Sequence, residues 1–191
     1  MVFHENWYSN KQASNLARLA QLVAPLQGLI IEIGSWEGKS TVALANAVYP
    51  SSVIAVDTWM GNIDEGPHND SVTLARSRDV YATFRDNISK MTKGNVTPVK
   101  QDCHEYLAVL NQPVKFCHID ACHDYLSVKR TLEAILPRII LGGVLCGDDF
   151  LSANATRTDL HGGVERAVRE LLPGVSHAEN LWYWQLRPKN A

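Results

Sequence analysis

The chain lacks a marked charge of either sign. Its 18 Lys and Arg stand against 20 Asp and Glu, a formal charge of −2 over 191 residues. A surface that binds nucleic acid neutralises phosphates with clustered Lys and Arg, so a nucleic-acid partner is disfavoured. Long apolar runs are also missing: no stretch reaches the roughly 18 residues that cross a bilayer. The opening MVFHENWYSNKQ has no basic segment running into an apolar core, so neither export signal nor membrane anchor is read there and the cytoplasm is the expected location. The four cysteines (Cys103, Cys117, Cys122 and Cys146) form no C-x-x-C pair. Three lie in or beside expected strands, where a reduced thiol acts as a small apolar residue. Repeats, low-complexity tracts and linkers are absent, and 191 residues with 46% hydrophobic content can bury a full core. One domain over residues 1–191 is expected.

What the chain does have is concentrated in LIIEIGSWEGKSTVALA, residues 29–45, and in VIAVD, which ends at Asp57. An apolar run suited to a strand buried on both faces enters a turn whose Gly34 and Gly38 allow tight geometry. Helical spacing resumes at Val42 and Leu44, and a second apolar run ends in an acid. Strand, glycine turn, helix and strand with a terminal acid describe one βαβ unit of a doubly wound α/β fold, in which the turn meets a nucleotide and the acid accepts hydrogen bonds from ribose. Glu32 and Asp57, 25 residues apart, suit that unit. A dinucleotide turn needs G-x-G-x-x-G, but Trp36 fills the place of the second glycine and Glu37 adds negative charge where a pyrophosphate would lie. A P-loop needs G-x-x-x-x-G-K-[ST]; Gly38, Lys39 and Ser40 supply its end, and Ile33 stands where its first glycine belongs. S-adenosylmethionine carries no phosphate and needs a polar turn and a ribose acid, so an acid within the turn is no handicap.

At these residues the chain resembles the class I S-adenosylmethionine-dependent methyltransferases, in particular small-molecule O-methyltransferases of the macrocin and catechol type. EIGSWEGKST is similar to their first motif and AVDTW to their second. The resemblance covers about residues 10–187. It implies an α/β, three-layer, Rossmann-like fold whose seven-stranded sheet is mostly parallel and ends in an antiparallel hairpin. It also implies cofactor contacts: Glu32, Gly34 and Ser35 facing the methionine part, with Gly38 and Ser40 in the same motif, Asp57 the ribose, Trp59 the adenine face and Asp102 the adenine amino group.

Helix and strand signals alternate through the rest of the chain. An amphipathic helix over residues 10–23 presents Leu16, Leu19, Leu22 and Val23 on one face, packing on the sheet or over the cofactor. Helices are expected over 76–91, 104–110, 125–136 and 164–172, and strands over 95–100 and 114–119. Gly142 and Gly143 turn the chain into a strand over 144–146. In the terminal hairpin Trp182 and Trp184 share one face and Tyr183 takes the other. Glu32, Asp57, Asp102, Asp120 and the pair Asp148 and Asp149 all end strands, and in an open parallel sheet such ends converge on the ligand crevice. Each taken alone is also explained as a helix N-cap.

The catalytic reading rests on HIDACHDY, residues 118–125, and GDDF, residues 147–150. In metal-dependent relatives, an acid after the fourth strand and an acid pair after the fifth hold magnesium, which implies Asp120, Asp148 and Asp149 here. Carboxylates suit such a hard cation. The alternative leaves Asp120 to hold the cofactor or a base and Asp148 and Asp149 to cap a loop, with no metal. His123 occupies the position of the relatives' proton acceptor, and an imidazole is neutral near its ordinary pKa of about 6.5; Asp124 is a candidate orienting neighbour. His118, alternating with Asp120 along a strand, reads as a buried hydrogen-bonded residue. Two polar stretches, residues 59–73 and 151–163, read as substrate walls over the sheet, with Arg157 a candidate partner for an anionic group. The expected activity is transfer of a methyl group from S-adenosylmethionine to a hydroxyl of a small molecule, by family analogy a sugar or natural product. His123 and Asp120 would be catalytic. An NAD-dependent oxidoreductase and a noncatalytic binding module remain alternatives. The aromatic hairpin and N-terminal helix offer surfaces for a homodimer.

Overall fold

A computed structural model describes residues 3–66, 69–150 and 162–188 of the chain. Its sheet begins with β1 (Leu29–Ile33), β2 (Val53–Asp57) and β3 (Val96–Lys100), continues with β4 (Val114–Ile119) and β5 (Ile139–Gly147), and ends with β6 (Ser176–Ala178) and β7 (Leu181–Gln185). The spatial order is β3-β2-β1-β4-β5-β7-β6. β1 to β5 run parallel, while β7 pairs antiparallel with both β5 and β6. The expected α/β sheet with its reversed terminal hairpin is therefore the fold observed. The direction of strand order changes at β1, between β2 and β4, which opens a crevice at the carboxyl ends of these strands.

Alternation along the strands divides the core into two layers. On one face Ile30, Phe116, Val144 and Cys146 meet α1 (Asn10–Leu22) and α2 (Lys39–Val48). On the other, Ile31, Ile33, Cys117 and Leu145 meet α5 (Cys103–Val109), α6 (Tyr125–Ile135) and α7 (Gly162–Leu171). Trp182 joins this second layer and Tyr183 the first, the division that alternation predicts. α3 (Asp70–Ser77) and α4 (Val80–Met91) follow β2. No described helix is long and apolar enough to cross a membrane.

Three expectations change. Residues 76–91 are not one helix, because Asp79 caps α4 by accepting from the Ala82 N–H and Arg78 before it is extended. Leu22 does not join the buried face of α1, which is made of Leu16 and Ala20, continued by Val23 beyond its end; Leu22 is exposed. Gly142 and Gly143 do not precede the fifth strand but lie inside it. Val114 pairs with Ile139 and Phe116 with Val144, so β5 carries extra residues opposite that step, and Gly142 takes the positive φ of 82° the bulge requires. The carboxyl ends of β1, β2, β4 and β5 then meet around one cavity.

Candidate active site

A cavity of about 940 Å³ occupies that crevice, within the range of small-molecule sites. Its turn end is built by β1 and β2. Gly34 has φ 84°, and its N–H donates to the Val56 carbonyl at 2.9 Å, turning the chain out of β1. Asp57 clamps the turn: its Oδ2 accepts from the Ser35 and Trp36 N–H groups, both at 2.8 Å, and its Oδ1 from the Trp59 N–H at 2.6 Å. Burial drives the Asp57 carboxyl above its ordinary range, against the pull of those three donors. Behind the turn, fully buried Glu32 accepts from the Ser35 hydroxyl at 2.8 Å and from the Thr41 hydroxyl, and its Oε1 lies 3.4 Å from His118 Nδ1.

An N-terminal strap crosses the turn. The His4 N–H and imidazole both meet Glu37 at 2.7 Å, the Trp36 indole donates to Glu5, and Trp7 packs on the Trp36 ring with centroids 5.4 Å apart. Arg78, released from helix by the break between α3 and α4, bridges Glu5 at 2.5 Å and Glu37 at 2.6 Å. The charge on Glu37, read from the sequence as an obstacle to phosphate, is thus compensated by Arg78, while His4 holds its carboxylate by hydrogen bonds.

At the acid end, β4 delivers Asp120 and His123, and β5 delivers Asp148 and Asp149. Asp149, at φ 61°, brings Oδ2 to 2.9 Å from His123 Nε2. The other ring nitrogen, Nδ1, is 2.8 Å from Oε1 of Glu65. Burial opposes a charge on His123, but the carboxylates of Asp149 and Glu65 outweigh it and hold the ring's pKa well above its ordinary value. Asp120 is raised as well, toward its neutral form: burial, Asp148 and Asp149 all push its carboxyl up, and it accepts no hydrogen bond from the side chains of described residues.

Most of the expected site residues meet in this cavity. Gly34, Ser35, Ser40, Asp57, Asp102, Asp120, His123, Asp148 and Asp149 line it. Glu32 does not; it is buried beneath the turn and holds Ser35 and Thr41 in place. Gly38 is the buried N-cap of α2, against the Phe84 ring. Trp59 also turns away: its indole donates to the Trp36 carbonyl at 2.8 Å, and its ring packs among Tyr81 and Phe84, so it supports the turn from the core instead of facing the cavity. Asp102 caps α5 through the His104 and Glu105 N–H groups while remaining at the cavity wall.

The expected metal trio changes as well. Both Asp148 oxygens accept from the Gln12 side-chain amide, at 2.7 and 2.6 Å, so this acid ties α1 to the sheet. The ligand atoms within 4.8 Å of one another belong to Asp120, His123 and Asp149. Asp124 does not orient His123; its Oδ1 caps α6. Cys103 and Cys122, just past the ends of β3 and β4, line the cavity, and burial raises the Cys103 thiol to about 11, leaving it protonated at neutral pH. All four cysteines are free. Glu65 and Gln12 were missed from sequence. Glu65 lies in the polar stretch read as a substrate wall, and an acid in a loop above the strand ends was its signal; Gln12, 136 residues from its partner, had none. Arg157 and most of residues 151–163 fall outside the described residues.

A family profile described as a methyltransferase domain matches residues 31–150, from the turn strand through the acid pair. The chain belongs to this methyltransferase-domain family. No curated protein matches it. Among solved structures, the O-methyltransferase NovP is similar at 19% identity and TM-score 0.67, the match covering 93% of this chain and 80% of NovP. Cofactor-bound Rv0187 from MTB reaches TM-score 0.70 at 16% identity, covering 97% and 84%. CalS11, a TDP-rhamnose 3'-O-methyltransferase of calicheamicin biosynthesis, gives 0.61 at 18% identity, covering 92% and 80%. These likenesses show that the methyltransferase-domain chain shares their fold.

Proposed function

We propose that the chain moves the methyl group of S-adenosylmethionine to a hydroxyl of a small molecule. The observation that carries this reading is one cavity with two chemically distinct ends: a clamped polar turn after β1, and an imidazole among carboxylates after β4 and β5. The turn fits a cofactor without phosphate, because Trp36 stands with φ 44° where a pyrophosphate would need a small residue. Bound S-adenosylmethionine supplies an electrophilic methyl on a sulfonium. The acceptor oxygen bonds to that carbon as the carbon–sulfur bond breaks, and holding the two in line accounts for much of the acceleration.

Once its Nε2 has shed the proton shared with Asp149, His123 takes the hydroxyl proton. Asp120 and Asp149 also fit a divalent cation, since Asp120 is a half-buried carboxylate at the cavity wall with no donor among described side chains and a second acid beside it. Magnesium there would polarise the acceptor oxygen and lower its pKa. The sugar acceptor named for CalS11 makes a sugar or related polyol hydroxyl the first class to screen. The test is calorimetric titration of the protein with S-adenosylhomocysteine, NAD and ATP, each with and without magnesium. Selective binding of the first is expected. Preference for NAD or ATP would overturn the reading, and binding without methyl transfer to any hydroxyl acceptor would favour a noncatalytic module.

A further inference from the structure

One carboxylate reaches the acid end from outside the strand ends. Glu65 closes the short 3-10 turn Ile63–Glu65 between β2 and α3, and its side chain is only 1% exposed. Its Oε1 accepts from the backbone N–H of His123 at 2.7 Å and lies 2.8 Å from Nδ1 of the same residue, so a single oxygen holds the main chain and stands in ion-pair contact with the ring. Its Oε2 accepts from the Asn69 amide at 2.9 Å, which fixes the carboxylate in turn. Asn62, three residues earlier, donates to the Ala121 carbonyl at 2.9 Å, so this loop grips residues 121–123 at both ends. The imidazole's remaining nitrogen, Nε2, faces Asp149 on the cavity side.

We propose that Glu65 is the positioning residue for His123, keeping a proton on Nδ1 so that Nε2 is the nitrogen that exchanges protons with the acceptor. The proposal deepens the methyl-transfer reading and rests on His123 being its base. In the balanced step, the acceptor's O–H proton moves to Nε2 while an oxygen electron pair forms the bond to the methyl carbon. The carbon–sulfur pair stays on sulfur, giving neutral S-adenosylhomocysteine, the methyl ether and an imidazolium whose two protons face Glu65 and the cavity. Without Glu65 at Nδ1, the Asp149 carboxylate at Nε2 draws the neutral ring's one proton to that nitrogen, and with the proton on Nε2 the ring has no lone pair toward the acceptor. A carboxylate behind a catalytic imidazole fixes the same choice in hydrolytic triads.

The test is long-range proton–nitrogen NMR of the full chain labelled at histidine and saturated with S-adenosylhomocysteine. It is run above the pH at which the ring loses its second proton, with His123→Gln assigning the signal. In the native chain the remaining proton is expected on Nδ1. Glu65→Ala should move it to Nε2 or to a mixture, and Glu65→Gln, whose amide oxygen still accepts from Nδ1, should restore it. An unchanged tautomer in Glu65→Ala would overturn the proposal, as would a Glu65→Gln ring that behaves like Glu65→Ala. If Glu65→Ala does not fold, Glu65→Asp, too short to reach the ring, carries the same expectation and the same overturning result. Failure of the native chain to bind S-adenosylhomocysteine would sink the methyl-transfer reading while leaving the tautomer result to stand on its own.

Discussion

At the turn end of the cavity, Asp57 gives its two oxygens to three backbone N–H groups, and Glu32 gives one oxygen to two hydroxyls. At the acid end, Asp149 meets the His123 imidazole and Asp148 the Gln12 amide, while Asp120 accepts from no described side chain. Carboxylates therefore do two different jobs a few residues from one another. Those under the turn organise backbone, with donors held in place on both Asp57 oxygens and on one oxygen of Glu32, although burial still raises the Asp57 carboxyl against them. Those after β4 and β5 repel one another in a partly dry site, which raises the protonation of Asp120 and Asp148 and holds His123 charged. The first arrangement is a frame that is complete without a ligand; the second gains from a cation or from protons.

The two ends touch at Gly34, and the largest effect is expected there. A Cβ on Gly34 would lie 1.9 Å from the Asp120 carbonyl oxygen, at a φ of 84° that side chains rarely adopt. Gly34→Ala should cost about 3 kcal/mol or more in urea unfolding, or prevent folding, because backbone strain and a backbone clash add. Gly94→Ala is the control, with a similar φ of 76° and open space around its Cβ; it should cost only about 1 kcal/mol. Equal losses at the two positions would show that the contact between the ends carries no weight.

Next in size is loss of the turn clamp. Asp57→Ala removes the acceptor of three N–H groups. Some are reached by water through the cavity, so the expected cost is about 2 kcal/mol, with a fall of at least about tenfold in S-adenosylhomocysteine affinity as the turn loosens. A stable variant that binds normally would mean that Glu32 and Gly34 hold the turn unaided.

How much of this frame was legible in sequence follows from how local each determinant is. Strand alternation placed Trp182 and Tyr183 on opposite faces, and the acids ending β2, β4 and β5 were legible because a parallel sheet gathers its carboxyl ends whatever the loops do. Roles set by distant partners were not. Asp148 looked like a metal ligand until Gln12 was found on both its oxygens. Trp59, two residues past Asp57, was expected at the cofactor, but the Trp36 carbonyl and the rings of α4 draw its indole inward. Helical periodicity ran through Arg78, whose extended backbone is explained by acids on the strap and the turn, 73 and 41 positions away in sequence. Asp124 next to His123 was the obvious orienter, yet the capping of α6 claims it and leaves the ring to Glu65.

Substitution at the acid end should have the opposite sign to that at the turn. Asp120→Asn replaces, without changing shape, a carboxyl whose charge burial, Asp148 and Asp149 already disfavour, so the folded protein should gain about 1 kcal/mol. Methyl transfer should fall by about two orders of magnitude, in keeping with the loss of a group at the reacting oxygen. Magnesium, if it raises the melting temperature of the native chain, should raise that of the variant less. A destabilised Asp120→Asn protein would show that this carboxylate is compensated like Asp57 and would erase the contrast.

The smallest effect sharpens the same contrast without mutation. The His123 pKa is raised on folding, so its contribution to stability is complete below about pH 6.5 and is lost as pH climbs through the folded value. Asp120 and Asp148 are raised too; above the unfolded carboxyl value of about 4 the folded state binds protons that the unfolded chain has released, and stability again falls with rising pH. Glu65 is lowered: burial would raise it, but the hydrogen bonds and charge of His123 prevail. Its contribution disappears only in acid, and above pH 6 it adds no slope. All the acid-end slopes therefore have one sign, and stability should decline as pH rises from 6 to 9. Magnesium bound at Asp120 and Asp149 would replace the missing protons, so the decline should flatten when it is added. A rise in stability over this range would mean that the carboxylates at the two ends of the cavity are compensated alike.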